Sequence, residues 1–156
     1  MEKPNRKSPR IPGYDYSGEN YYFITICTHE KACIFGTTER KSRFGEIAEE
    51  ELLGIDAHYQ GVRVDKAIVM PNHIHAIIAI GCENRNIQYP SLNTVVGQYK
   101  AGVTRRIRQV MPEKVVWQRS YHDHIIRSRA EYEQIWQYIG SNAQKWEADC
   151  FYVKPE

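Results

Sequence analysis

No apolar run in this 156-residue sequence approaches the roughly 20 residues that a membrane-spanning helix requires. The N-terminus is basic and contains proline, without the apolar core of a signal peptide. Cysteine is scarce and scattered. Cys27, Cys33, Cys82 and Cys150 show no C-x-x-C spacing, which argues against a zinc knuckle or a disulfide framework and fits a reducing compartment. Internal repeats and low-complexity tracts are also missing, so repeat architectures are not indicated. The formal net charge is only +2. These absences predict a cytoplasmic protein with no membrane partner.

What remains is a chain of the length of one domain, with an ordinary apolar fraction of 42%. Its positive charge is clustered although its net charge is small. Lys3, Arg6, Lys7 and Arg10 lie in an N-terminal arm, and Lys100, Arg105, Arg106 and Arg108 in one predicted helix. Local basic patches of this kind suit a polyanion, although a charged helix face is also commonly just solvated.

Residues 1–18, punctuated by Pro, Gly, Ser and Tyr, read as an extended arm, leaving 19–156 as a single domain. Tyr21 to Thr28 is β-branched and aromatic enough for a first strand. An amphipathic helix is expected from about Thr38 to Tyr59, capped by Thr37 or Thr38. Two strands follow, Val62 to Met70 and His73 to Ile80, joined by a tight Pro71-Asn72 link. After a polar loop, Ser91 is the expected cap of a helix to Val110, and Val115 to Arg127 supplies another strand. A last helix from about Arg129 to Asp149 carries a 3.6-residue apolar stripe. The order β-α-β-β-α-β plus a helix predicts an α+β fold: a ferredoxin-like split β-α-β with helices on one face of an antiparallel sheet.

The most informative stretch is Met70-Pro71-Asn72-His73-Ile74-His75, which opens into the Ala- and Ile-rich run to Ile80. Side chains alternate across a strand, so His73 and His75 share a face while Ile74 packs on the other. Two imidazoles presented together suit a divalent cation or a phosphate, while an H-x-H pair by itself also fits plain solvated histidines. In the last predicted helix, Tyr138 and Asn142 are four apart, roughly 40° from each other around the axis, and Lys145 extends the same edge. A tyrosine there can be simple boundary packing. Coupled to the histidines it gains another role. A phenol of ordinary pKa near 10 needs help to attack phosphorus. A Mg²⁺ or Mn²⁺ ion held by His73, His75 and the Asn142 side-chain oxygen would give that help while Tyr138 attacks in line.

Several ordered blocks together resemble the HUH single-tyrosine transposases, in their REP-associated branch. They are Pro71-Asn72-His73-Ile74-His75, the segment Trp117 to Arg127, and Tyr138-Ile139-Gly140-Ser141-Asn142. Arg10 to Ser17, the strand Tyr22 to Thr28, and Ile34-Phe35-Gly36 look like the N-terminal pattern of that branch. The resemblance implies a metal-dependent DNA strand transferase on a ferredoxin-like fold. Its nucleophile would be Tyr138, and its metal ligands His73, His75 and Asn142, the last standing where some branches have Gln. Such enzymes cleave and rejoin single-stranded DNA at imperfect hairpins through a 5′-phosphotyrosine intermediate, releasing a 3′ hydroxyl.

For this chain the expected DNA contacts are Lys100, Arg105 and Arg106 to phosphates, and Arg10 with Tyr14 and Tyr16 to unpaired bases. His124, in the second H-x-H at His122-Asp123-His124, is assigned to phosphate contact or structural hydrogen bonding, and Lys145 to DNA. The protein would then work at nucleoid DNA in the cytoplasm. Tyr99, Tyr121 and Tyr132 are rival nucleophiles by type. A homodimer and a monomer both fit, the short linker before the last helix favouring a site built within one chain. Two other readings stay open. One is a non-catalytic hairpin-binding module of the same fold, and the other a small-phosphodiester hydrolase, which would want an H-x-[ST]-like signature that the sequence lacks.

Overall fold

A computed structural model of the chain describes residues 20–81 and 88–148. The N-terminal arm, with Arg10, Tyr14 and Tyr16, lies outside the described residues, as do Cys82 and Cys150. The elements are β1 (Asn20–Cys27), α1 (Arg43–Leu53), α2 (Ile55–His58), β2 (Val62–Met70), β3 (His73–Ile80), α3 (Leu92–Arg108), β4 (His122–Ile126) and α4 (Arg129–Gly140). Short 3₁₀ turns cover His29–Lys31 and Ala143–Ala148. The strands form one antiparallel sheet in the order β2-β3-β1-β4, the ferredoxin-like α+β arrangement.

β3 is the strand that the sheet is built around. All eight residues of His-Ile-His-Ala-Ile-Ile-Ala-Ile are buried, which a strand achieves only when both of its faces are covered. Ile74, Ala76, Ile78 and Ile80 point to one face and join Ile24 and Ile26 of β1 beneath Ile47 and Leu52 of α1 and Val95, Val96 and Val103 of α3. Ile77 points to the other face, where it meets Ile126 and Ile139, with Phe23, Ile68, Tyr132 and Ile135 packed around them. The helices of the split unit, α1 and α3, share one face as expected. The additional helix α4 covers the opposite face, because β3 places Ile77 there beyond the two histidines and an uncovered Ile77 would face water.

Three element boundaries differ from the sequence reading. The first helix begins at Arg43 under Ser42, whose Oγ accepts from the Gly45 amide at 3.1 Å. Thr37, one of the two expected caps, instead closes a turn of its own by accepting from the Glu39 and Arg40 amides. The strand expected from Val115 shrinks to His122–Ile126. Its first half stays bonded to the end of β1 only through the Thr28–Trp117 bridge, the strand being interrupted at Ser120, which has φ 69°, and the Lys100 ammonium donates to the carbonyls of Gln118 and Ser120. The last helix stops at Gly140 rather than near Asp149, with consequences for the site.

The turn into β2 requires glycine. Gly61 has φ 79°, and a Cβ there would fall 2.0 Å from the Tyr89 ring. Among the described residues no helix is long and apolar enough to cross a membrane. The revised capping assignment has a direct consequence: Ser42→Ala should lower unfolding free energy by about 1 kcal/mol, and Thr38→Ala by no more than about 0.5 kcal/mol. Urea denaturation of both variants checks this, and the opposite ranking would restore the earlier helix start.

Candidate active site

The turn between β2 and β3 sets the first histidine. Pro71 and Asn72 are pinned from outside the hairpin: the Phe35 amide donates to the Pro71 carbonyl at 3.0 Å, and the Thr28 amide and hydroxyl both donate to the Asn72 carbonyl. The Asn72 side-chain amide donates to the Lys31 carbonyl, which aims its Oδ1 at His73 Nδ1, 2.8 Å away. His75, two residues along, pairs across the strands with Thr25, whose Oγ1 lies 2.9 Å from His75 Nδ1. Both outer ring nitrogens are thus engaged by fixed partners, and the inner ones face each other, Nε2 to Nε2, at 3.2 Å.

This arrangement fixes the tautomers. Asn72 Oδ1 only accepts, so His73 carries its proton on Nδ1 and presents a lone pair at Nε2. In the metal-free chain His75 Nε2–H donates into that lone pair, and the Thr25 hydroxyl donates to His75 Nδ1. Were His75 to present Nε2 as a ligand instead, its proton would sit on Nδ1 and the Thr25 hydroxyl would accept it. A hydroxyl serves either state, which a carbonyl in its place would not. Burial lowers the His73 pKa to about 4, the neighbouring Asn142 side chain opposing the shift. The ring is therefore neutral at physiological pH, as a metal ligand must be.

Tyr138 comes from α4 on the same chain. Its ring stands 5.3 Å from the His75 ring and meets Phe23 edge-on at 6.2 Å, and Phe23 itself packs 5.3 Å from His75. Tyr138 is 40% exposed, whereas His73 and His75 are 0% and 2% exposed, so the phenol sits at the mouth and the imidazoles at the base. Asn142 follows just beyond the end of this helix. α4 ends at Gly140, Ser141 Oγ bonds back to the Gln137 carbonyl, and the chain turns so that Asn142 is 2% exposed beside His73. The turn lets a short amide reach inward while the tyrosine one helical turn earlier stays at the surface. Trp146, from the 3₁₀ turn that follows, packs 6.1 Å from the His73 ring.

The donor set fits a divalent cation. Two nitrogens 3.2 Å apart can both reach one ion at about 2.1 Å. Asn142 Oδ1 is a buried oxygen with no hydrogen-bond partner, a situation that costs about 1–3 kcal/mol unless a cation or donor satisfies it. Among the described residues no group of three or more His, Cys, Asp and Glu could hold a metal, and beside His73 this face offers the Asn142 amide oxygen. Imidazole nitrogens suit transition ions and an amide oxygen suits Mg²⁺ or Mn²⁺, so the mixed set admits a divalent cation without selecting one.

The other residues singled out by sequence lie elsewhere. Lys100, Arg105 and Arg106 belong to α3, on the far side of the sheet from the histidines. Arg106 bridges Glu50 and Glu51 of α1 at 2.8 and 3.0 Å, and Lys100 is spent on loop carbonyls. Arg105 is exposed near Glu51. His124 pairs with Glu131, whose carboxylate also accepts from the Arg127 amide, so its contact within the chain is structural. Lys145 is exposed beyond the end of α4. The rival tyrosines are occupied: Tyr99 donates to the Ala48 carbonyl, Tyr121 to Asn93 and Tyr132 to Asp65. Sequence reasoning assigns no role to Thr25, Asn72 or Phe23 in the site. Asn72 could have been found from its place beside the first histidine, but Thr25 and Phe23 are identified only by strand register.

Comparison with known proteins gives consistent relatives. Residues 17–142 match a family model described as "Transposase IS200 like". A Haemophilus influenzae protein described as uncharacterized is 35% identical over 169 residues, spanning 96% of this chain and 94% of its own length. Among solved structures, a REP-associated tyrosine transposase bound to a REP hairpin aligns with a TM-score of 0.58 at 16% identity, covering 88% of this chain and 73% of that one. A candidate transposase from Deinococcus radiodurans aligns at 0.54 and 18% identity, covering 86% and 97%. At these identities the two structures establish the shared fold.

The depressed His73 pKa carries a pH signature. The unfolded chain takes up a proton near pH 6.5 that the folded chain refuses until about pH 4. The contribution of His73 to stability is therefore complete above about pH 6.5 and is lost as pH falls toward 4, at no more than about 1.4 kcal/mol per pH unit. Histidine NMR on chelator-treated protein should show the His73 ring neutral down to pH values near 5. A His73 titration near 6.5 would contradict the buried, Asn72-held geometry.

Proposed function

The chain belongs to the IS200-like transposase family, and we propose that it cleaves and rejoins single-stranded DNA at hairpins through a covalent bond between Tyr138 and a 5′ phosphate. The observation that carries this reading is the meeting of Tyr138 with His75 at 5.3 Å, above paired imidazole nitrogens and the unsatisfied Asn142 oxygen.

His73, His75 and Asn142 would hold the ion, which when bound neutralises charge on a phosphate oxygen and makes the phosphorus more electrophilic. The chain itself supplies the rest. Phe23 packs edge-on against Tyr138 and holds the phenol over the imidazoles. Tyr138 Oη attacks phosphorus, giving up its proton. A new P–O bond to the tyrosine forms as the bond to the 3′ oxygen of the preceding nucleotide breaks, and that oxygen leaves as a hydroxyl after taking a proton. Attack by a 3′ hydroxyl on the phosphotyrosine reverses the step, so the bond energy is conserved and no nucleoside triphosphate is needed. Thr25 and Asn72 keep the imidazole planes in place throughout.

Support for hairpin DNA as the substrate comes from the REP-associated fold relative, whose structure includes a REP hairpin. Support for a site completed within one chain comes from Tyr138 and His75 meeting without a second copy. Non-catalytic hairpin binding is the outcome to be distinguished.

The deciding experiment incubates the protein with hairpin oligonucleotides labelled differently at their 5′ and 3′ ends, with Mg²⁺, Mn²⁺ or chelator, and looks for adducts that survive denaturant. The expected result is metal-dependent label on a peptide containing Tyr138. Tyr138→Phe should abolish the adduct while keeping hairpin affinity within about twofold, and His73→Ala should lose metal binding and cleavage together. An adduct that persists in Tyr138→Phe would remove Tyr138 as nucleophile, and tight hairpin binding without any adduct would leave a binding module.

A further inference from the structure

A second concavity lies on the α4 face of the sheet, away from the histidines. It is a cavity of about 490 Å³ lined by Arg63, Arg127 and Arg129, by Tyr21 and Tyr132, and by Asp65. Its size is that of a small-ligand site. Register explains its floor: Arg63 of β2, Ala79 of β3, Tyr21 of β1 and Ile126 of β4 form one cross-strand row, with the small Ala79 between the long side chains. Asp65, at the irregularity between Val64 and Lys66, accepts from Arg63 Nε at 2.7 Å and from Tyr132 Oη at 2.7 Å, and so fixes a cation and a ring on the same wall. Tyr21 and Tyr132 meet edge to face at 5.5 Å.

The chemistry of this lining is specific in kind. Three arginines line the cavity: Arg63 is paired with Asp65 at 2.7 Å, Arg129 is paired with Glu133 at 3.3 Å in an ion pair whose arginine is 88% exposed and so open to exchange with a phosphate, and Arg127 is exposed beside them. Burial, reinforced by the Asp65 hydrogen bond, keeps the Tyr132 phenol protonated, so the ring adds no negative charge. Guanidinium groups for phosphate next to aromatic rings for a base are the two components of single-strand binding surfaces. Position adds a constraint. Tyr132 and Tyr138 are six residues apart on α4, about 9 Å along its axis. On β1, Tyr21 and Phe23 are successive residues of the same face, contacting Tyr132 and Tyr138 respectively. Two to three stacked nucleotides, at about 3.4 Å each, span that interval.

We propose that the cavity between the start of α4 and the Arg63–Tyr21 row is a subsite for one unpaired nucleotide of the single strand whose phosphate lies at Tyr138, with Arg127 and Arg129 on its phosphate and Tyr21 and Tyr132 beside its base. The inference rests on the reading of this chain as acting on single-stranded DNA, but not on cleavage.

The test therefore uses the full chain with chelator present, so that binding is read separately from covalent chemistry. A fluorescein-labelled thymidine oligonucleotide is titrated by anisotropy over a range of salt concentrations. Arg127→Ala should weaken binding about five- to tenfold and reduce the slope of log affinity against log salt by about one, while Arg127→Lys keeps the slope. Arg43→Ala, an exposed arginine of α1 on the other side of the sheet, should change affinity less than about twofold. Photo-crosslinking with 5-iodouracil in the strand should label Tyr21 or Tyr132. Equal effects of Arg127→Ala and Arg43→Ala, or cross-links confined to other peptides, would overturn the subsite. A subsite found in a protein that forms no Tyr138 adduct would leave this inference standing and the covalent mechanism refuted.

Discussion

The pairing of β3 along both of its edges is the constraint on which the rest of the molecule depends. Antiparallel pairing with β1 puts Thr25 across from His75, and the hairpin turn from β2 puts Asn72 beside His73. A one-residue slip of that register would send both imidazoles into the α1–α3 layer and bring Ile74 to the site. The hydrophobic run from Ile74 to Ile80 prevents the slip, because both layers of core are built on its two faces. The energy that holds the histidines comes mainly from isoleucines that perform no chemistry.

The two faces of the sheet divide the work. The α1–α3 side carries the larger core and a network of ion pairs in which Arg106 ties α3 to Glu50 and Glu51. The α4 side carries a small core around Ile77, Ile126 and Ile139, and both the imidazole pair and the arginine-lined cavity flank it. A basic cluster in the sequence is therefore not a basic cluster at the site. The charges of α3 are largely used to join helices and fix loops, whereas the arginines that line the α4-face cavity come from three separate places: Arg63 at the start of β2, Arg127 after β4 and Arg129 at the start of α4.

The end of α4 shows how a small local event sets chemistry. The helix stops at Gly140, two residues past Tyr138: the tyrosine is 40% exposed, and Asn142, two residues beyond the helix, is buried beside a histidine that burial keeps neutral. The end of the helix thus leaves the Asn142 oxygen buried without a hydrogen-bond partner beside His73.

The sequence by itself determines the strand-and-helix order, the extents of β2 and β3, and the shared face of His73 and His75. Each of these follows from local periodicity or from residue types at fixed spacing, which act over a few positions and survive without tertiary context. The tertiary structure alone decides which face α4 covers, where it ends, which atoms hold the outer ring nitrogens, and that the α3 cations lie away from the site. Those outcomes depend on contacts between residues dozens of positions apart, such as Thr25 with His75 and Arg63 with the start of α4, and no local pattern encodes which distant partner wins a given hydrogen bond or buried face.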